Sequence, residues 1–261
     1  MRSSGRGGEA LRAEQAADGA QGVDGAQAAD GAQGLSQYPE TNQITLEQPD
    51  SRRLILLRHG ETTYNATRRM QGQMDTVLSD TGLAQAEAVG QHFAGFQPPI
   101  RRIISSDLQR AYRTGLAVAA QCGVGVEQDK RLRETDLGSW QDRTHGDIDA
   151  EFPGLRYRWR HDPNWAPEGA ETRMQVAVRM KSVVDDLLAS DEQWPGSTIL
   201  FASHGGAIAA LTAALMDVPE SHYTMFNGLR NTAWVSLEAK QRPGGRLGWY
   251  LNAFNASVDP L

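Results

Sequence analysis

Two histidines and two arginines stand at, or just beyond, the ends of three short apolar runs of the chain. They are Arg58, His59, Arg110 and His204, and the runs cover residues 54–57, 103–104 and 198–202. An arginine fork donates paired hydrogen bonds to tetrahedral oxyanions, and a neutral imidazole can act as a nucleophile towards phosphorus. If the three runs were neighbouring strands, these residue types would therefore form a site for a phosphate or a similar anion.

The apolar runs have the length and the flanking residues of buried strands. Residues 54–57 are four large aliphatic side chains, and the run stops at the turn-forming Gly60. Segments with helical spacing lie between the runs, and the first of them has Ser79 or Asp80 as a candidate N-cap. Strands that alternate with helices predict a three-layer α/β/α sandwich with a largely parallel central sheet. Such sheets bind ligands at the carboxyl ends of their strands.

The rest of the chain from Ser51 onwards follows the same alternation, with one exception. Helices are predicted from about 107 to 121, over a long stretch that ends before Pro195, and over a small Ala-rich stretch that follows 203–206 and runs to about 216. Further strands are predicted near 124–126, at 232–238 and at 247–254. The exception is the segment 139–170, which is predicted to be irregular. We take residues 52–261 as a single domain.

The first 51 residues differ in composition from the remainder. The sequence Asp-Gly-Ala-Gln recurs at Asp18, Asp24 and Asp30, and large apolar residues are scarce. Such a composition cannot bury enough surface to offset the entropy of ordering, so residues 1–51 are predicted to form a disordered tail. The tail has 3 basic and 8 acidic residues, a net charge of −5, which leaves −1 of the total −6 for the domain.

Composition also limits the class of protein. The net charge of −6 argues against a general nucleic-acid binder. Cys122 is the sole cysteine, so an intrachain disulfide is excluded and a cysteine metal site is not expected. The sequence contains neither an apolar run of membrane-spanning length nor a secretory signal. We expect a cytoplasmic protein that binds neither nucleic acid nor a membrane.

Four sequence blocks, in order along the chain, resemble the histidine phosphatase superfamily, which is also called phosphoglycerate mutase-like. The blocks are 58–62 with Asn65 and 71–72, 105–111 with Thr114, 132–134 with 137–140, and 203–206. The resemblance covers about residue 52 to the C-terminus and leaves out the tail. It implies the phosphoglycerate mutase-like fold and a phosphoric monoester hydrolase.

The resemblance also implies a role for each matching residue. His59 would be the nucleophile and form a phosphohistidine, while Arg58, Arg110 and His204 would hold the phosphoryl group. Glu134 would protonate the departing alkoxide and then activate the water that hydrolyses the phosphohistidine, and a placed acid of this kind contributes about 10²–10⁴ in rate. Substrate contacts are implied for Asn65, Gln71, Gly72, Gly205 and the phosphoryl-binding residues. Neither a metal nor another cofactor is implied.

Taken singly, these residues have ordinary structural interpretations. A lone histidine near a turn is more often structural, Arg58 would be an ion-pair partner, and Glu134 would be a surface carboxylate. The tryptophans at 140, 159 and 165 could stack on a sugar but more often cap a small core. Likewise, the arginines at 156, 158 and 160 could bind a carboxylate, although alternating charges are usually a solvated face.

Segments outside the site resemble one subfamily, the actinobacterial phosphatases of glucosyl-3-phosphoglycerate. They are 70–76, 132–138, 165–169 and 249–257, whereas Ala170 stands where that subfamily usually has a glycine. The resemblance implies hydrolysis of a small phosphorylated sugar acid to glucosylglycerate, by a homodimer. Three alternatives remain open: a cofactor-dependent phosphoglycerate mutase, a broad-specificity acid phosphatase and, in another class, a non-catalytic phospholigand-binding protein.

Overall fold

The structure is a computed structural model that describes residues 50–226 and 228–258. The predicted disordered tail lies outside the described residues, apart from Asp50 and Ser51. Within the described ranges, no helix is both long enough and apolar enough to cross a membrane.

Six strands form one mixed sheet. They are β1 (Arg52–Arg58), β2 (Ile100–Ser105), β3 (Val126–Gln128), β4 (Thr198–Ser203), β5 (Trp234–Gln241) and β6 (Leu247–Ala256). Their order is β3-β2-β4-β1-β5-β6, and the pairs β3–β2, β2–β4 and β4–β1 are parallel. Strands β5 and β6 extend the sheet in antiparallel fashion. The predicted α/β fold with a largely parallel sheet is confirmed.

The three strands that precede the candidate residues are direct neighbours. Arg58 at the end of β1 pairs with Ser203 at the end of β4, and Ser105 at the end of β2 pairs with Ala202. Their carboxyl ends therefore meet at one edge of the sheet. The sequence alone did not show that the three apolar runs are neighbouring strands, and the structure does.

Helices cover both faces of the sheet. They are α1 (Thr63–Ala66), α2 (Asp80–Phe93), α3 (Gln109–Cys122), α4 (His145–Glu151), α5 (Leu155–His161), α6 (Arg173–Ser190) and α7 (Gly205–Leu215). Because side chains alternate along a strand, Leu54 and Leu56 pack with α6 and α7, whereas Ile55 and Leu57 pack with α2 and α3. All four are fully buried, and each contributes about 1.5–3 kcal/mol of burial free energy.

The prediction that the segment 139–170 is irregular is wrong, because this segment contains α4 and α5. Helix α4 begins at a capping box in which the Thr144 and Asp147 side chains each accept a hydrogen bond from the other's backbone N–H. This region has its own small core around Trp140 and Ile148, separate from the cores on the two faces of the sheet. Two helices of seven residues are too short for periodicity to reveal them.

Candidate active site

A cavity of about 470 Å³ opens at the carboxyl edge of the sheet. Seven of the nine predicted site residues line it, namely Arg58, His59, Asn65, Gln71, Gly72, Arg110 and Glu134. The other two, His204 and Gly205, lie immediately behind this lining: the His204 ring is 5.2 Å from that of His59, and Gly205 packs on Arg58. The structure thus brings all nine predicted residues to one place.

The His59 side chain is held with one ring nitrogen bonded to the backbone. Its Nδ1 lies 2.7 Å from the carbonyl oxygen of Gly60. Because a carbonyl oxygen can only accept, Nδ1 donates and Nε2 retains its lone pair. Burial, reinforced by the positive charges of Arg110 and Arg58, holds the pKa of His59 well below its usual value. The imidazole is therefore neutral and nucleophilic at neutral pH.

The turn after β1 is fixed by close backbone packing. A Cβ on Gly60 would lie 2.4 Å from the carbonyl oxygen of Gly82 at the start of α2, so only glycine fits there. The Gly60 N–H donates to Thr114 Oγ (3.1 Å), and that hydroxyl donates to the carbonyl of Arg110 (2.8 Å). Thr114 thereby ties the nucleophile's turn to helix α3.

His204 is fully buried, and its two ring nitrogens differ in their partners. Nε2 lies 2.9 Å from Ser106 Oγ, while Nδ1 has no partner in the described structure. The Ser106 hydroxyl accepts from the Leu108 N–H (3.3 Å), and its own proton has no acceptor among the described residues other than Nε2. We infer that the His204 proton sits on Nδ1. Burial, together with the charge of Arg110, lowers the pKa of His204 well below its usual value.

Arg110 is buried and Arg58 is partly buried, and neither cation has a carboxylate partner in the described structure. The Arg110 guanidinium donates to the carbonyls of Met74 (2.7 Å) and Gly72 (2.8 Å), and Arg58 donates to the carbonyl of Leu229. Both Nε atoms are buried and unpartnered. Burial lowers both pKa values, that of Arg110 to about 10, so both remain charged at neutral pH. Two desolvated cations side by side favour a bound anion.

The Glu134 carboxylate caps the amino end of helix α7. Oε1 accepts from the N–H groups of Thr135 (2.8 Å) and Ala207 (2.9 Å), and Oε2 accepts from the N–H of Gly206 (3.1 Å). These bonds, together with the helix dipole, fix the carboxylate at the cavity wall. A carboxyl group held at this point can exchange a proton with a ligand in the cavity.

The backbone that carries Glu134 is itself held by residues that sequence reasoning missed. The Arg179 guanidinium donates to the carbonyls of Arg131 (2.8 Å), Arg133 (2.7 Å) and Glu134 (2.9 Å). It also pairs with Glu171, whose carboxylate accepts from the N–H of Asp136 (2.9 Å). Both residues lie far along the chain from Glu134, and their types alone indicate only a solvated ion pair.

Of the remaining residues of the first sequence block, Asn65 and Gln71 present amide donors to the cavity, whereas Gly72 acts through Arg110. Asn65 Oδ1 is occupied by the Thr62 N–H (3.1 Å) in a capping box, and Gln71 Oε1 by the Thr76 hydroxyl (2.6 Å). The amide nitrogens of both side chains have no partner in the described structure and remain available to a ligand. Gly72, at φ +54°, accepts from Arg110 through its carbonyl, so it orients the arginine.

Only some of the tryptophans and arginines that were candidates for binding a sugar acid line the cavity. Trp159 lines the cavity, whereas Trp140 is buried in the small core and Trp165 lies beneath Arg158. Of the three candidate arginines, only Arg160 reaches the cavity. The others form ion pairs, Arg156 with Asp149 (2.5 Å) and Arg158 with Asp162 (3.4 Å). The cavity wall also includes Arg69 and Arg173, which the sequence did not single out.

Comparisons with known proteins found similar sequences and similar solved structures. Glucosyl-3-phosphoglycerate phosphatase of Mycobacterium tuberculosis (strain CDC 1551 / Oshkosh) is 44% identical over 216 residues, which are 80% of this chain and 96% of that protein. A probable phosphoglycerate mutase of Yersinia pestis (strain Pestoides F) is 34% identical over 205 residues, 77% of this chain and 91% of that protein. The solved structure of a mycobacterial glucosyl-3-phosphoglycerate phosphatase complexed with VO3 is 44% identical, covers 79% of this chain and 100% of its own, and superposes with a TM-score of 0.75.

The part of the chain that matches a family model is nearly the same as the part that forms the sheet and its helices. The sequence model of the histidine phosphatase superfamily (branch 1) matches residues 54–251, from the first residues of β1 to within β6. The four sequence blocks that predicted this family all lie within the match. The chain therefore belongs to the histidine phosphatase superfamily.

Proposed function

We propose that the chain is a metal-independent phosphomonoesterase that acts through a phosphohistidine and removes phosphate from glucosyl-3-phosphoglycerate, giving glucosylglycerate. One observation carries the chemistry: a neutral imidazole with a free Nε2, two arginines without a carboxylate partner and a fixed carboxylate line one cavity. The names and the 44% identity of the mycobacterial relatives support the choice of substrate.

The first step transfers the phosphoryl group to the enzyme. His59 Nε2 attacks phosphorus, the ester P–O bond breaks, and Glu134 gives its proton to the departing oxygen. Arg58, Arg110 and the Nδ1–H of His204 stabilise the negative charge on the phosphoryl oxygens as the bond breaks.

The second step releases phosphate. Glu134, now ionised, takes a proton from a water molecule that attacks the phosphorus of phosphohistidine, and the P–N bond breaks. The His59 ring returns to the neutral form in which Gly60 accepts from Nδ1. One carboxyl group thus serves first as acid and then as base, which restores the enzyme.

Phosphate release tests this proposal directly. Wild-type protein would be assayed with glucosyl-3-phosphoglycerate, 3-phosphoglycerate and p-nitrophenyl phosphate, with a chelator present. We expect phosphate release that survives the chelator and favours the glucosyl compound. Absence of release from all three by folded protein would contradict the phosphatase, and a flat profile would favour the broad-specificity alternative.

The mutase alternative is kept because one relative is a probable phosphoglycerate mutase. It predicts conversion of 3-phosphoglycerate to 2-phosphoglycerate that depends on a bisphosphoglycerate primer. We expect phosphate release to exceed this conversion. The non-catalytic alternative predicts phospholigand binding without turnover, although both histidines, both arginines and Glu134 are in place.

We also propose a cytoplasmic homodimer that binds neither nucleic acid nor a membrane. Strand β6 supports self-association, because it is an edge strand and exposes Tyr250 and Leu251. Light scattering after size exclusion should give a mass of about twice 28.5 kDa. A monomeric mass at micromolar concentration would remove this part of the proposal.

A further inference from the structure

One partly buried cation in the cavity wall has no partner in the described structure. Arg173 is the first residue of helix α6, is partly buried and lines the cavity, yet it forms neither a hydrogen bond nor an ion pair with the described residues. A guanidinium has five N–H donors, and removing it from water without a partner is costly. Arg173 is therefore prepared for an anion that enters the cavity.

The other arginines of the cavity are accounted for differently. Arg58 and Arg110 are anchored to backbone carbonyls beside the nucleophile, and Arg69 donates to the Asp142 carbonyl (2.5 Å). Arg160 is exposed, so water can satisfy its donors. Arg173 is thus the partly buried cation of this wall that still lacks a partner.

The position of Arg173 relative to Glu134 indicates which part of a ligand it meets. Arg173 and Glu134 line the same cavity, and in agreement the Glu134 carboxylate raises the pKa of Arg173 by charge attraction, against the larger lowering caused by burial. In the proposed mechanism Glu134 contacts the oxygen of the leaving alcohol. A cation in the same cavity wall as Glu134 is therefore available to the alcohol part of the ligand.

We propose that Arg173 binds a carboxylate carried by the alcohol part of the substrate, next to the phosphoester. A guanidinium can donate two parallel hydrogen bonds to a carboxylate, and such charge-assisted pairs are among the stronger hydrogen bonds in proteins. Arg173 would then select phosphorylated hydroxy acids over phosphate esters that lack the carboxylate. This inference rests on the proposed function, because it assumes that the phosphoryl group lies at His59.

Two small esters isolate the carboxylate. 3-Phosphoglycerate and glycerol 3-phosphate differ in that a carboxylate replaces a hydroxymethyl group. We expect wild-type kcat/KM to favour 3-phosphoglycerate, and Arg173→Met to reduce that preference by roughly 10- to 100-fold, the range for a lost charged hydrogen bond. Methionine keeps the aliphatic length of the side chain. Arg113→Met, on the exposed face of α3 away from the cavity, is the matched control and should retain the wild-type preference.

The ratio of kcat/KM for 3-phosphoglycerate to that for glycerol 3-phosphate distinguishes a carboxylate-binding role of Arg173 from a phosphoryl-binding or structural role. An equal loss for both esters in Arg173→Met would overturn the inference in favour of a phosphoryl-binding or structural role, and so would an unchanged ratio. Wild-type protein without a preference for 3-phosphoglycerate would overturn it as well. If Arg173→Met lost as much activity towards p-nitrophenyl phosphate as towards 3-phosphoglycerate, the inference would also be overturned, because p-nitrophenyl phosphate has no carboxylate.

A binding measurement separates this inference from the proposed function. Calorimetry with His59→Ala, with and without Arg173→Met, needs no turnover. We expect Arg173→Met to weaken binding of 3-phosphoglycerate by roughly 10- to 100-fold and to leave glycerol 3-phosphate nearly unchanged. Failure of the wild type to hydrolyse any ester would contradict the phosphatase alone, whereas equal binding changes for the two esters would contradict the carboxylate site.

Discussion

The Nε2 of His204 lies 2.9 Å from the hydroxyl oxygen of Ser106, and the two residues terminate neighbouring strands β4 and β2. The buried Ser106 hydroxyl has no other acceptor among the described residues, so we infer that it donates its proton to Nε2 and that the His204 proton lies on Nδ1. The contact between Ser106 and His204 therefore determines whether the unpartnered Nδ1 carries a proton and can donate a hydrogen bond to an anion.

Ser106→Ala should disturb this arrangement. Without the hydroxyl, His204 loses its fixed tautomer, and we expect kcat to fall about 10-fold, equivalent to about 1.4 kcal/mol. Nitrogen-15 NMR of the His204 ring should report the mixed tautomer. Ser105→Ala is the control, since that buried hydroxyl donates to backbone carbonyls instead. Equal kinetics for both variants would contradict a role for Ser106 in orienting the proton.

Glu134→Gln should separate substrates by their leaving groups. An alkoxide needs protonation, whereas p-nitrophenolate leaves without it, so the variant should lose about 10²–10⁴ in the rate of phosphoryl transfer from alkyl esters only. With p-nitrophenyl phosphate, stopped-flow absorbance should show a burst of p-nitrophenolate followed by slow turnover, because the phosphohistidine would lack its hydrolytic base. Equal slowing of the first step with both kinds of ester would argue against Glu134 as the acid.

Gly206→Ala should displace the same carboxylate by direct contact. A Cβ at this position would lie 2.8 Å from Glu134 Oε1, so the carboxylate must move away from the amino end of α7. We expect kcat for alkyl phosphates to fall about 10-fold, since misplaced catalytic groups lose rate steeply. Gly146→Ala in helix α4, where the nearest atom is 3.8 Å from the new Cβ, should keep wild-type kcat. Wild-type kcat in Gly206→Ala would mean that the exact placement of Glu134 is unimportant.

Stability should depend on pH through the two buried histidines. Their pKa values are lowered in the folded state, so the unfolded chain binds protons first as pH falls. The stabilisation is complete above about pH 6.5 and is lost as pH falls below it, by up to about 1.4 kcal/mol per pH unit for each histidine. Urea titrations of His204→Gln should show a shallower loss than wild type, with the exposed His222→Gln as the control. Parallel curves for His204→Gln and wild type would contradict this account.

The strand ends were predictable because the responsible signal is local. Four consecutive aliphatic residues before Arg58 could only be buried on both faces, and such strands in an α/β chain are parallel. Arg110 could be placed in the same site because it follows the next predicted strand, at the beginning of the next predicted helix. The fold and the relative positions of His59 and His204 follow from this pattern.

The residues that sequence reasoning missed depend on packing between distant segments. Arg173 resembles any cation in the first turn of a helix, and only the position of α6 beside the cavity makes it partly buried. Ser106 gains its role because β2 lies next to β4, and Arg179 because α6 passes the segment that carries Glu134. None of these relationships leaves a periodic or local signal in the sequence.

Trapping the phosphorylated enzyme tests the central claim most directly. Wild-type protein would be mixed with substrate, quenched in alkali, which preserves phosphohistidine, and digested for mass spectrometry beside His59→Ala. We predict an acid-labile phosphoryl group on His59 in the wild type, none in the variant, and loss of turnover in a variant that remains folded. Absence of a phosphoryl group from both the wild type and Glu134→Gln during turnover of p-nitrophenyl phosphate, or full turnover by His59→Ala, would contradict the phosphohistidine mechanism.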